Sequence, residues 1–418
     1  MQRPTVSIAT LGCKVNQAES DGYAQRFTDA GFHLVPSEQP ADVCVVNSCT
    51  VTNVGDQKSR QLNQRLRRAN PDALLTVTGC YAAVAPQKVV LLTGADLVAG
   101  LAQKDELVEL VSERLLERGV SLPRPLSVEE LVRATPRTRL NVKVQDGCND
   151  FCTYCIVPFS RGRARSIPLP DVIRQVERAV AEGYQEVVLT GVNMTTYGRD
   201  GGTDFGNLLE AVLRTSIPRV RLSSIEPFKF DTAWLPLWQS GRLCRHLHLP
   251  LQSGCDDTLR RMRRRYDSAS FARLLDDVRC QIPGIAIWTD VIAGFPGETD
   301  EEFEASWRFI DAMDFAGIHV FRYSPRTGTR AATMPGRVPD RIKKERSERL
   351  LALSAAGKRR FAQGLLGSTQ TVLFEEPGSG LTDNYVRVEM GAGEPNTFGR
   401  VRITSLADDG LRGELIHG

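Results

Sequence analysis

The stretch DGCNDFCTYC (146–155) places Cys148, Cys152 and Cys155, here called the loop triad, within ten residues. The next cysteine or histidine along the chain is Cys244. The stretch follows LNVKV, an apolar and β-branched segment that reads as a strand. In α/β barrels, the loops after the C-terminal ends of strands form the active face. The stretch therefore predicts an active-site loop at the first strand of such a barrel.

Five more strand-like segments follow this loop, separated by helix-like stretches: EVVLTGV, RVRLSSIE, RHLHLPL, AIWTDVIAG and GIHVFRYS. Val172 and Val176 repeat at helical spacing, and Thr299 with Glu302 has the spacing of a capping box. Six parallel strands covered by helices predict a partial (β/α)6 barrel, open on one side, over residues 139–363.

Two further regions flank the predicted barrel. Residues 1–116 alternate β-branched runs (VSIATLG, DVCVVN, LLTVTG, ADLVAG) with helix-like stretches, which predicts a small parallel α/β domain. Residues 117–138 mix proline and charge and read as a linker. Residues 364–418 contain short strands separated by Gly, Asp and Asn, which predicts a small antiparallel β-barrel. The predicted fold class is α/β with this C-terminal barrel added.

The composition is that of an ordinary globular protein: of 418 residues, 41% are hydrophobic and 25% are charged, and the net charge is +3. No run of about 18 apolar residues occurs, so the sequence predicts no membrane span. The segment MQRPTVSIATLG lacks the apolar core of a secretory signal, which favours the cytoplasm. In that reducing compartment, clustered thiols serve metals or catalysis more often than disulfides.

Three thiolates on one loop favour a soft metal, either zinc or an iron-sulfur cluster. A structural zinc site needs a fourth ligand, which only Asp146, Asn149 or Asp150 supplies locally. A 4Fe-4S cluster on three thiolates instead leaves one iron free for a substrate or cofactor. The vacant fourth position of the loop triad therefore favours the cluster.

Three other cysteines share a position that their spacing conceals. Cys13 follows SIATLG, Cys49 follows DVCVVNS and Cys80 ends LLTVTGC, so each lies just past a predicted parallel strand. The C-terminal ends of parallel strands meet at one edge of a sheet, where such sheets bind ligands. We expect these three cysteines, the edge triad, to hold a second cluster with an open iron. The alternative is three unrelated buried cysteines, as we expect for Cys44 inside its strand.

The loop triad, with Tyr154 between its last two cysteines, resembles the signature of radical S-adenosylmethionine (SAM) enzymes. That resemblance implies a catalytic cluster, whose free iron binds SAM and releases a 5'-deoxyadenosyl radical. Further segments resemble the methylthiotransferases over nearly the whole chain: TLGCKVNQAESD, ADVCVVNSCTVTNVGDQKSRQ, TGCYA, PLQSGCDDTLRRMRRRY and DVIAGFPGETDEEF. In that family, the cysteines matched by the edge triad carry an auxiliary 4Fe-4S cluster, and the C-terminal barrel is an RNA-binding TRAM domain.

The family resemblance implies a reaction that replaces a C–H bond with C–S–CH3. One SAM donates a methyl group to sulfur on the auxiliary cluster, and a second SAM is cleaved to abstract the substrate hydrogen. The implied cofactors are therefore two 4Fe-4S clusters and SAM. An electron donor such as flavodoxin or ferredoxin is also implied, and the chain is expected to be a monomer.

Further contacts to SAM follow from the same resemblance. Tyr154 lies within the loop triad, whereas Gly191, Ser223, Glu226 and Gly294 lie at the ends of later predicted strands. The resemblance places these later residues near the amino group, ribose and adenine of SAM. The alternative is that the glycines only form tight turns between strands and helices.

A tRNA substrate predicts basic surface patches. Five arginines follow the fourth barrel strand, and we expect them to bind RNA: Arg260, Arg261, Arg263, Arg264 and Arg265. Other basic clusters lie within 58–68 and 343–360, and the alternative for all of them is a solvated helix face. From residue 364 onward, four Arg and Lys stand against eight Asp and Glu, which argues against general phosphate binding by the C-terminal barrel.

GCKVNQAES and NSCTVTNVGDQKSRQ are most similar to the branch of the family that acts on threonylcarbamoyladenosine in tRNA. We therefore expect methylthiolation of C2 of N6-threonylcarbamoyladenosine, next to the anticodon in the anticodon stem-loop. The alternatives are isopentenyladenosine in tRNA, an aspartate of a ribosomal protein, or a non-enzymatic iron-sulfur scaffold that binds RNA.

Cys244, His246 and His248 alternate along one predicted strand and so share a face. A metal site of one cysteine and two histidines is conceivable there. We expect these residues to line the barrel interior instead.

Overall fold

Residues 3–124 and 138–416 are described by this computed structural model. They divide into two units. The described residues of unit 1 fall within Met1–Thr135, Asp146–Ala164 and Ser324–Ala332, and those of unit 2 within Pro136–Gln145, Arg165–Tyr323 and Thr333–Gly418. Residues 125–137 of the predicted linker lie outside the described residues.

Unit 1 is built on a five-stranded parallel sheet in the order β2-β1-β3-β4-β5. Its strands are β1 (Thr5–Thr10), β2 (His33–Val35), β3 (Val43–Ser48), β4 (Leu74–Gly79) and β5 (Leu97–Val98). The four strands predicted in this region are confirmed. The sequence pattern does not predict β2, because three mostly exposed residues are too short a run to identify.

Helices cover this sheet, and the nearly continuous apolar character of β3 and β4 fits strands buried on both faces. One core contains Phe27 and Leu107, and a second contains Leu75 and Val89. The helices of unit 1 are α1 (Lys14–Asp29), α2 (Asn53–Ala69), α3 (Cys80–Val84), α4 (Pro86–Thr93), α5 (Leu107–Glu117), α6 (Val157–Arg161) and the 3-10 helix Lys104–Glu106.

Unit 2 contains the predicted run of parallel strands in two hydrogen-bonded sheets, β7-β6-β8-β9 and β10-β11-β12. Parallel bridges from Val220 to Leu243 and from Ser224 to His248 join β9 to the β10 side. The strands are β6 (Arg139–Asp146), β7 (Arg165–Ser166), β8 (Glu186–Gly191), β9 (Arg219–Leu222), β10 (His246–His248), β11 (Ala286–Ala293) and β12 (Gly317–Arg322). The six predicted strands are confirmed, and β7 is an additional short strand.

The helices of unit 2 pack their apolar faces onto these strands in one large core. The capping box of Thr299 and Glu302 is confirmed. A second box, Asp267 with Ser270, escapes the sequence pattern because serine takes the place of Glu or Gln. Among the helices that the structure describes in either unit, none combines the length and hydropathy needed to cross a bilayer. The helices are α7 (Leu169–Ala181), α8 (Phe205–Arg214), α9 (Asp256–Met262), α10 (Ser268–Gln281), α11 (Asp300–Ala312), α12 (Asp340–Gln363) and the 3-10 helices Met194–Thr196, Pro227–Lys229 and Thr232–Ser240. The 3-10 helix Arg330–Thr333 begins in unit 1, and only its last residue belongs to unit 2.

The C-terminal part of unit 2 is a closed five-stranded barrel in the order β13-β14-β15-β17-β16. The predicted barrel is confirmed, but it is not wholly antiparallel, because β15 and β17 pair in parallel. Its small core contains Val372, Phe374 and Val401. The strands are β13 (Thr369–Glu376), β14 (Ser379–Thr382), β15 (Arg387–Glu389), β16 (Phe398–Ala407) and β17 (Gly410–Leu415).

Candidate functional site

The edge triad lies at the C-terminal ends of three adjacent strands of unit 1. Cys13 follows β1 and caps α1, Cys49 follows β3, and Cys80 begins α3 directly after β4. The backbone of Gly12 comes so close that a Cβ atom there would lie 3.2 Å from Cys49 Sγ. Burial, together with the negative charge of Cys80 and Cys13, raises the pKa of the Cys49 thiol to about 11. A bound cation is what would hold such a group as a thiolate at neutral pH.

Glycine is required immediately before Cys80. Gly79 has φ of +88°, a left-handed conformation that disfavours side chains. A Cβ atom at this position would lie 2.5 Å from the carbonyl oxygen of Ser48 and 2.7 Å from its nitrogen. The sharp turn after β4 therefore places the cysteine beside the end of β3.

The loop triad lies on a closed loop of unit 1. The Cys148 N–H donates to the Gly162 carbonyl (3.1 Å), and the Cys155 N–H donates to the Cys152 carbonyl (3.0 Å). Gly147 has φ of +70°, and a Cβ atom there would lie 2.7 Å from the Gly162 oxygen. The three cysteines are partly exposed, so the loop presents its thiols at the surface of the unit.

The donor sets of both triads fit iron-sulfur clusters, because each triad offers three thiols and thiolates are the ligands of such clusters. Among the described residues, two groups have His, Cys, Asp or Glu donor atoms that all lie within 4.8 Å of one another: His248 with Asp290 and His319, and Cys255 with Asp257 and Glu302.

A buried asparagine connects the two triads. Asn16 is 1% exposed, and its Nδ2 donates to the carbonyls of Leu11 (2.8 Å) and Ser48 (3.1 Å). These carbonyls lie just before Cys13 and Cys49. The Asn16 Oδ1 accepts a hydrogen bond of 2.5 Å from Arg161, which ends α6 after the loop triad. One side chain thus joins loops that carry cysteines of both triads.

Arg161 also belongs to a buried ion network of four side chains, each at most 7% exposed. Lys104 Nζ lies 2.8 Å from Glu19 Oε1 and 2.6 Å from Asp146 Oδ2. Arg161 Nη1 lies 3.0 Å from each of these two carboxylates. Two positive and two negative charges balance, which is the condition under which ions are tolerated inside a protein. The network therefore connects Asp146, before the loop triad, and Arg161, after it, to Glu19 of α1.

Cys80 lies next to this network, because α3 packs against α6. Burial raises the pKa of the Cys80 thiol, whereas the positive charge of Arg161 lowers it. The guanidinium therefore favours the thiolate form that binds iron.

Arg326 fixes the loop that follows Cys49. Its Nη2 donates to Thr50 Oγ1 (2.6 Å) and lies 2.8 Å from Asp56 Oδ2, and its Nη1 donates to Asn53 Oδ1 (2.6 Å). In the same segment of unit 1, the Ala331 N–H donates to the carbonyl of Thr153 in the loop triad (2.8 Å). The segment 324–332 therefore contacts both cysteine loops.

The residues predicted to contact SAM are placed as follows. Tyr154 is half-buried in unit 1, and the other four lie at the C-terminal ends of strands in unit 2. A Cβ atom on Gly191 would lie 2.9 Å from Met194 Cγ, so the turn after β8 requires glycine. Gly294, with φ of +75°, follows β11, and its N–H donates to Glu298 Oε2 (2.7 Å).

Ser223 and Glu226 follow β9. Ser223 is buried, and its N–H donates to the Leu189 carbonyl (3.0 Å). Glu226 is only partly buried, and its carboxylate pairs with Arg264. The ion pair already occupies one oxygen of the residue that was expected to contact SAM.

The five predicted RNA-binding arginines do not form one surface. Arg260, Arg263 and Arg265 are exposed, whereas Arg261 is half-buried and pairs with Glu302. Arg264 is 8% exposed, pairs with Glu226 and donates to Tyr266 Oη (3.1 Å). The Arg264 guanidinium is held inside unit 2, so Arg264 is the least available of the five for contact with RNA.

Cys244, His246 and His248 do not share one site. Cys244 is buried beside Glu186, 3.9 Å from its Oε2. The His246 ring packs 4.7 Å from the Tyr385 ring. His248 instead contacts Ser224 and Asp290.

Sequence reasoning missed the residues that connect the triads: Asn16, Glu19, Lys104, Arg161 and Arg326. A signal for two of them exists, since Asn16 and Glu19 are three apart in CKVNQAES and therefore share a helix face just after Cys13. No such signal marks the other three, whose partners are distant in sequence.

Comparisons with known proteins identify the family of the chain. The Radical SAM superfamily matches residues 142–310, and Uncharacterized protein family UPF0004 matches residues 5–100. A Bacillus subtilis protein named threonylcarbamoyladenosine tRNA methylthiotransferase is 42% identical, covering 92% of this chain and 90% of its own. A protein of the same name in Thermotoga maritima is 36% identical, covering 99% of this chain and 98% of its own.

Two more comparisons extend the family and the fold. A Moorella thermoacetica protein named tRNA-2-methylthio-N(6)-dimethylallyladenosine synthase is 35% identical, covering 100% of this chain and 99% of its own. The radical SAM methyltransferase TsrM from Kitasatospora setae, solved with cobalamin and a [4Fe-4S] cluster, is 17% identical with a TM-score of 0.55 over 79% of this chain and 77% of its own. That structure is similar in fold alone. Because the named relatives match this chain over nearly its whole length, the chain belongs to the methylthiotransferase family of radical SAM enzymes.

Proposed function

We propose that this enzyme methylthiolates C2 of N6-threonylcarbamoyladenosine next to the anticodon of tRNA. Relatives that carry the name of this activity, from Bacillus subtilis and Thermotoga maritima, support the substrate. The cofactors are SAM and two 4Fe-4S clusters, one on each cysteine triad. The first segment, 1–116, carries the auxiliary cluster, 139–363 forms the radical SAM core and 364–418 is a TRAM-like barrel.

The observation that carries the proposal is the joining of two three-thiol sites in one unit through Asn16 and Arg161. Each triad would hold a cluster with one iron free. When bound, the clusters and SAM supply the abstraction of hydrogen and the methylthio group. The chemistry needs both sites in a fixed relation, since a displacement of about 1 Å between reacting groups is costly.

The protein's own residues provide that fixed relation. Arg161 and Lys104 hold Glu19 of α1 against Asp146 at the start of the loop triad. Arg326 restrains the loop after Cys49. Gly191 and Gly294 form tight turns at the ends of β8 and β11, where the family resemblance expects contacts to SAM.

Arg263 and Arg265 are the best candidates for contacts to the tRNA backbone. Both are exposed, whereas Arg260 and Arg261 pair with carboxylates. Replacing one phosphate-binding arginine lowers the salt dependence of RNA affinity by about one unit of slope. Arg263→Ala should show this change in a tRNA titration, and Arg260→Ala should show less of it.

Iron analysis tests the two-cluster assignment. After anaerobic reconstitution, the wild-type protein should contain about eight irons per chain, and Cys49→Ala should contain about four. Cys44→Ala is the matched control, because Cys44 is buried inside β3, the strand that Cys49 follows, and should be inert. A zinc-containing protein, or a Cys49→Ala protein that keeps all its iron, would contradict the assignment.

Nucleoside analysis tests the substrate. Mass spectrometry of digested tRNA from a deletion strain should show loss of the 2-methylthio derivative of threonylcarbamoyladenosine. Expression of the wild type or Cys44→Ala should restore it, and expression of Cys49→Ala should not. The Moorella relative favours a second candidate, methylthiolation of dimethylallyladenosine, for which the other methylthio nucleoside would disappear. An unchanged nucleoside profile would instead point to a ribosomal protein aspartate.

Three further properties belong to the same proposal. The enzyme acts in the cytoplasm, where its tRNA is found. It functions as a monomer. A low-potential protein such as flavodoxin or ferredoxin delivers its electrons.

A further inference from the structure

Two histidines and an aspartate meet on the open face of the strands in unit 2. His248 Nε2 lies 2.9 Å from Asp290 Oδ1, and His319 Nδ1 lies 3.2 Å from the same oxygen. The three residues stand on adjacent strands β10, β11 and β12, and Asp290 is paired in register with His319. Ile287 and Val291 of β11 face the helix-packed core, so Asp290 faces the opposite side.

The distances between these donor atoms fit ligands of one metal ion. Two ligands about 2.1 Å from an ion and at right angles to each other are about 3.0 Å apart. The three donor atoms all lie within 4.8 Å of one another. Two histidines and a carboxylate form a ligand set for divalent transition metals that leaves other coordination positions open.

The contact between His248 and Ser224 is an independent sign of a ligand. His248 Nδ1 lies 2.6 Å from Ser224 Oγ, so the far side of the ring is oriented by a hydroxyl. Metal-binding histidines almost always have such an oxygen partner on the second ring nitrogen, which fixes the tautomer and points the other nitrogen at the metal.

Charge and access also favour a cation. The ion-pair partners of Asp290 among the described residues are the two histidines alone, so the site has a net negative charge when these rings are neutral. The His319 side chain is 51% exposed, which leaves a path for an ion. The other convergent group differs, because Arg261 already neutralises Glu302 there.

We infer that His248, Asp290 and His319 bind one divalent first-row transition-metal ion, with Ser224 orienting His248. The open coordination positions lie on the face of the strands opposite the helix-packed core and would accept an oxygen or nitrogen ligand. The three ligands belong to unit 2, whereas the residues of both cysteine triads belong to unit 1. It does not depend on the proposed tRNA substrate.

Zinc binding to the reconstituted holoenzyme tests this inference. The protein is dialysed against Zn2+ at micromolar concentration and pH 7.5, and zinc and iron per chain are measured together. The wild type should bind one zinc ion more than Asp290→Asn or His319→Gln does. Ser224→Ala should weaken zinc binding about 10-fold or more without abolishing it.

Two controls separate the site from general effects. Glu302→Gln disrupts the other convergent group and should keep the zinc. Unchanged iron content in every variant shows that folding and the clusters survive. Equal zinc content in the wild type and in His319→Gln, or loss of zinc in Glu302→Gln, would overturn the inference. His248, Asp290 and His319 would then form a hydrogen-bonded group that binds no metal.

Discussion

Two buried ion clusters, one in each unit, remove charges from water in different ways. In unit 1, the cations of Lys104 and Arg161 balance the anions of Glu19 and Asp146. In unit 2, one fully buried anion, Glu186, lies between Arg219 and Arg221, with Arg139 3.9 Å away and itself paired with the less buried Glu375. The first cluster is neutral, and the second has an excess of positive charge.

The excess positive charge in unit 2 is directed at backbone carbonyls. Arg219 donates to the carbonyl of Leu381 (3.2 Å), and Arg221 donates to those of Thr382 (3.2 Å) and Asp383 (3.1 Å). These carbonyls belong to the end of β14 and the turn after it. A balanced cluster thus joins side chains of separate loops, whereas a cation-rich cluster ties a sheet to the backbone of the C-terminal barrel.

The balanced cluster should be the more sensitive to loss of a single member. Arg161→Met removes one cation and leaves two buried carboxylates with one partner, at an expected cost of about 3 to 5 kcal/mol. All four tryptophans lie in unit 2, so hydrogen exchange of α1 and α6 is the appropriate measurement for unit 1. Both cysteine loops should lose protection together.

A surface arginine of the same unit provides the control. Arg114 is 45% exposed and pairs with Glu117 one turn away. Arg114→Met should change stability by less than about 0.5 kcal/mol. Similar losses of protection in both variants would mean that the network around Arg161 does not hold the loops.

The cation-rich cluster predicts a dependence on acid. Burial raises the pKa of Glu186, but the charges of Arg221 and Arg219 dominate and lower it from 4.5 to about 2. Because the pKa of Glu186 is lower in the folded state, its ionisation stabilises the folded protein at pH values above the unfolded-state pKa. This stabilisation is lost as the pH falls toward 2. The shift corresponds to roughly 3 kcal/mol. Tryptophan fluorescence during urea unfolding, measured from pH 6 to pH 2, reports this loss for unit 2.

Glu186→Gln is the comparison, because glutamine does not titrate. The variant should be less stable at pH 6 and should show a shallower decline in acid than the wild type. Asp290, whose pKa is also lowered to about 2, is common to both proteins and cancels in the difference. Parallel pH profiles would contradict a dominant role for Glu186.

The turn before Cys80 tests whether backbone geometry matters as well as charge at the edge triad. Gly79→Ala combines a positive φ with contacts under 3 Å to the end of β3, so it should cost about 2 to 3 kcal/mol. Gly94 also has positive φ, but open space surrounds its Cβ position, so Gly94→Ala should cost about 1 kcal/mol. Hydrogen exchange of β4 and α3 measures both. Equal costs would remove the steric explanation.

Much of the fold was predictable because it rests on local patterns. Alternating β-branched runs predicted the strands, and Thr299 with Glu302 predicted a helix start. The placement of Cys13 and the other edge cysteines after adjacent strands was predictable too, because strand ends of a parallel sheet share an edge.

The connections between the triads were not predictable, because their partners are far apart in sequence. Lys104 meets Glu19 and Asp146, which are 85 and 42 residues away. The arginine run at 260–265 shows the opposite limit, since a local cluster of like charge does not reveal that Arg264 turns inward to Glu226.

The smallest expected change in stability is that of Asp383→Asn, which distinguishes side-chain from backbone contacts at the cation-rich cluster. The Asp383 carboxylate pairs with Arg245 (2.7 Å), whose side chain is 37% exposed. The backbone carbonyl of Asp383 accepts a hydrogen bond from Arg221. Asp383→Asn removes the exposed pair and keeps the carbonyl, so unit 2 should lose about 1 kcal/mol or less in tryptophan-monitored unfolding. A loss as large as that of Glu186→Gln would mean that the barrel is held by the surface ion pair. A small loss of stability for Asp383→Asn, together with a large loss for Glu186→Gln, would mean that the buried hydrogen bonds from the guanidinium groups to the carbonyls attach the barrel to the sheet.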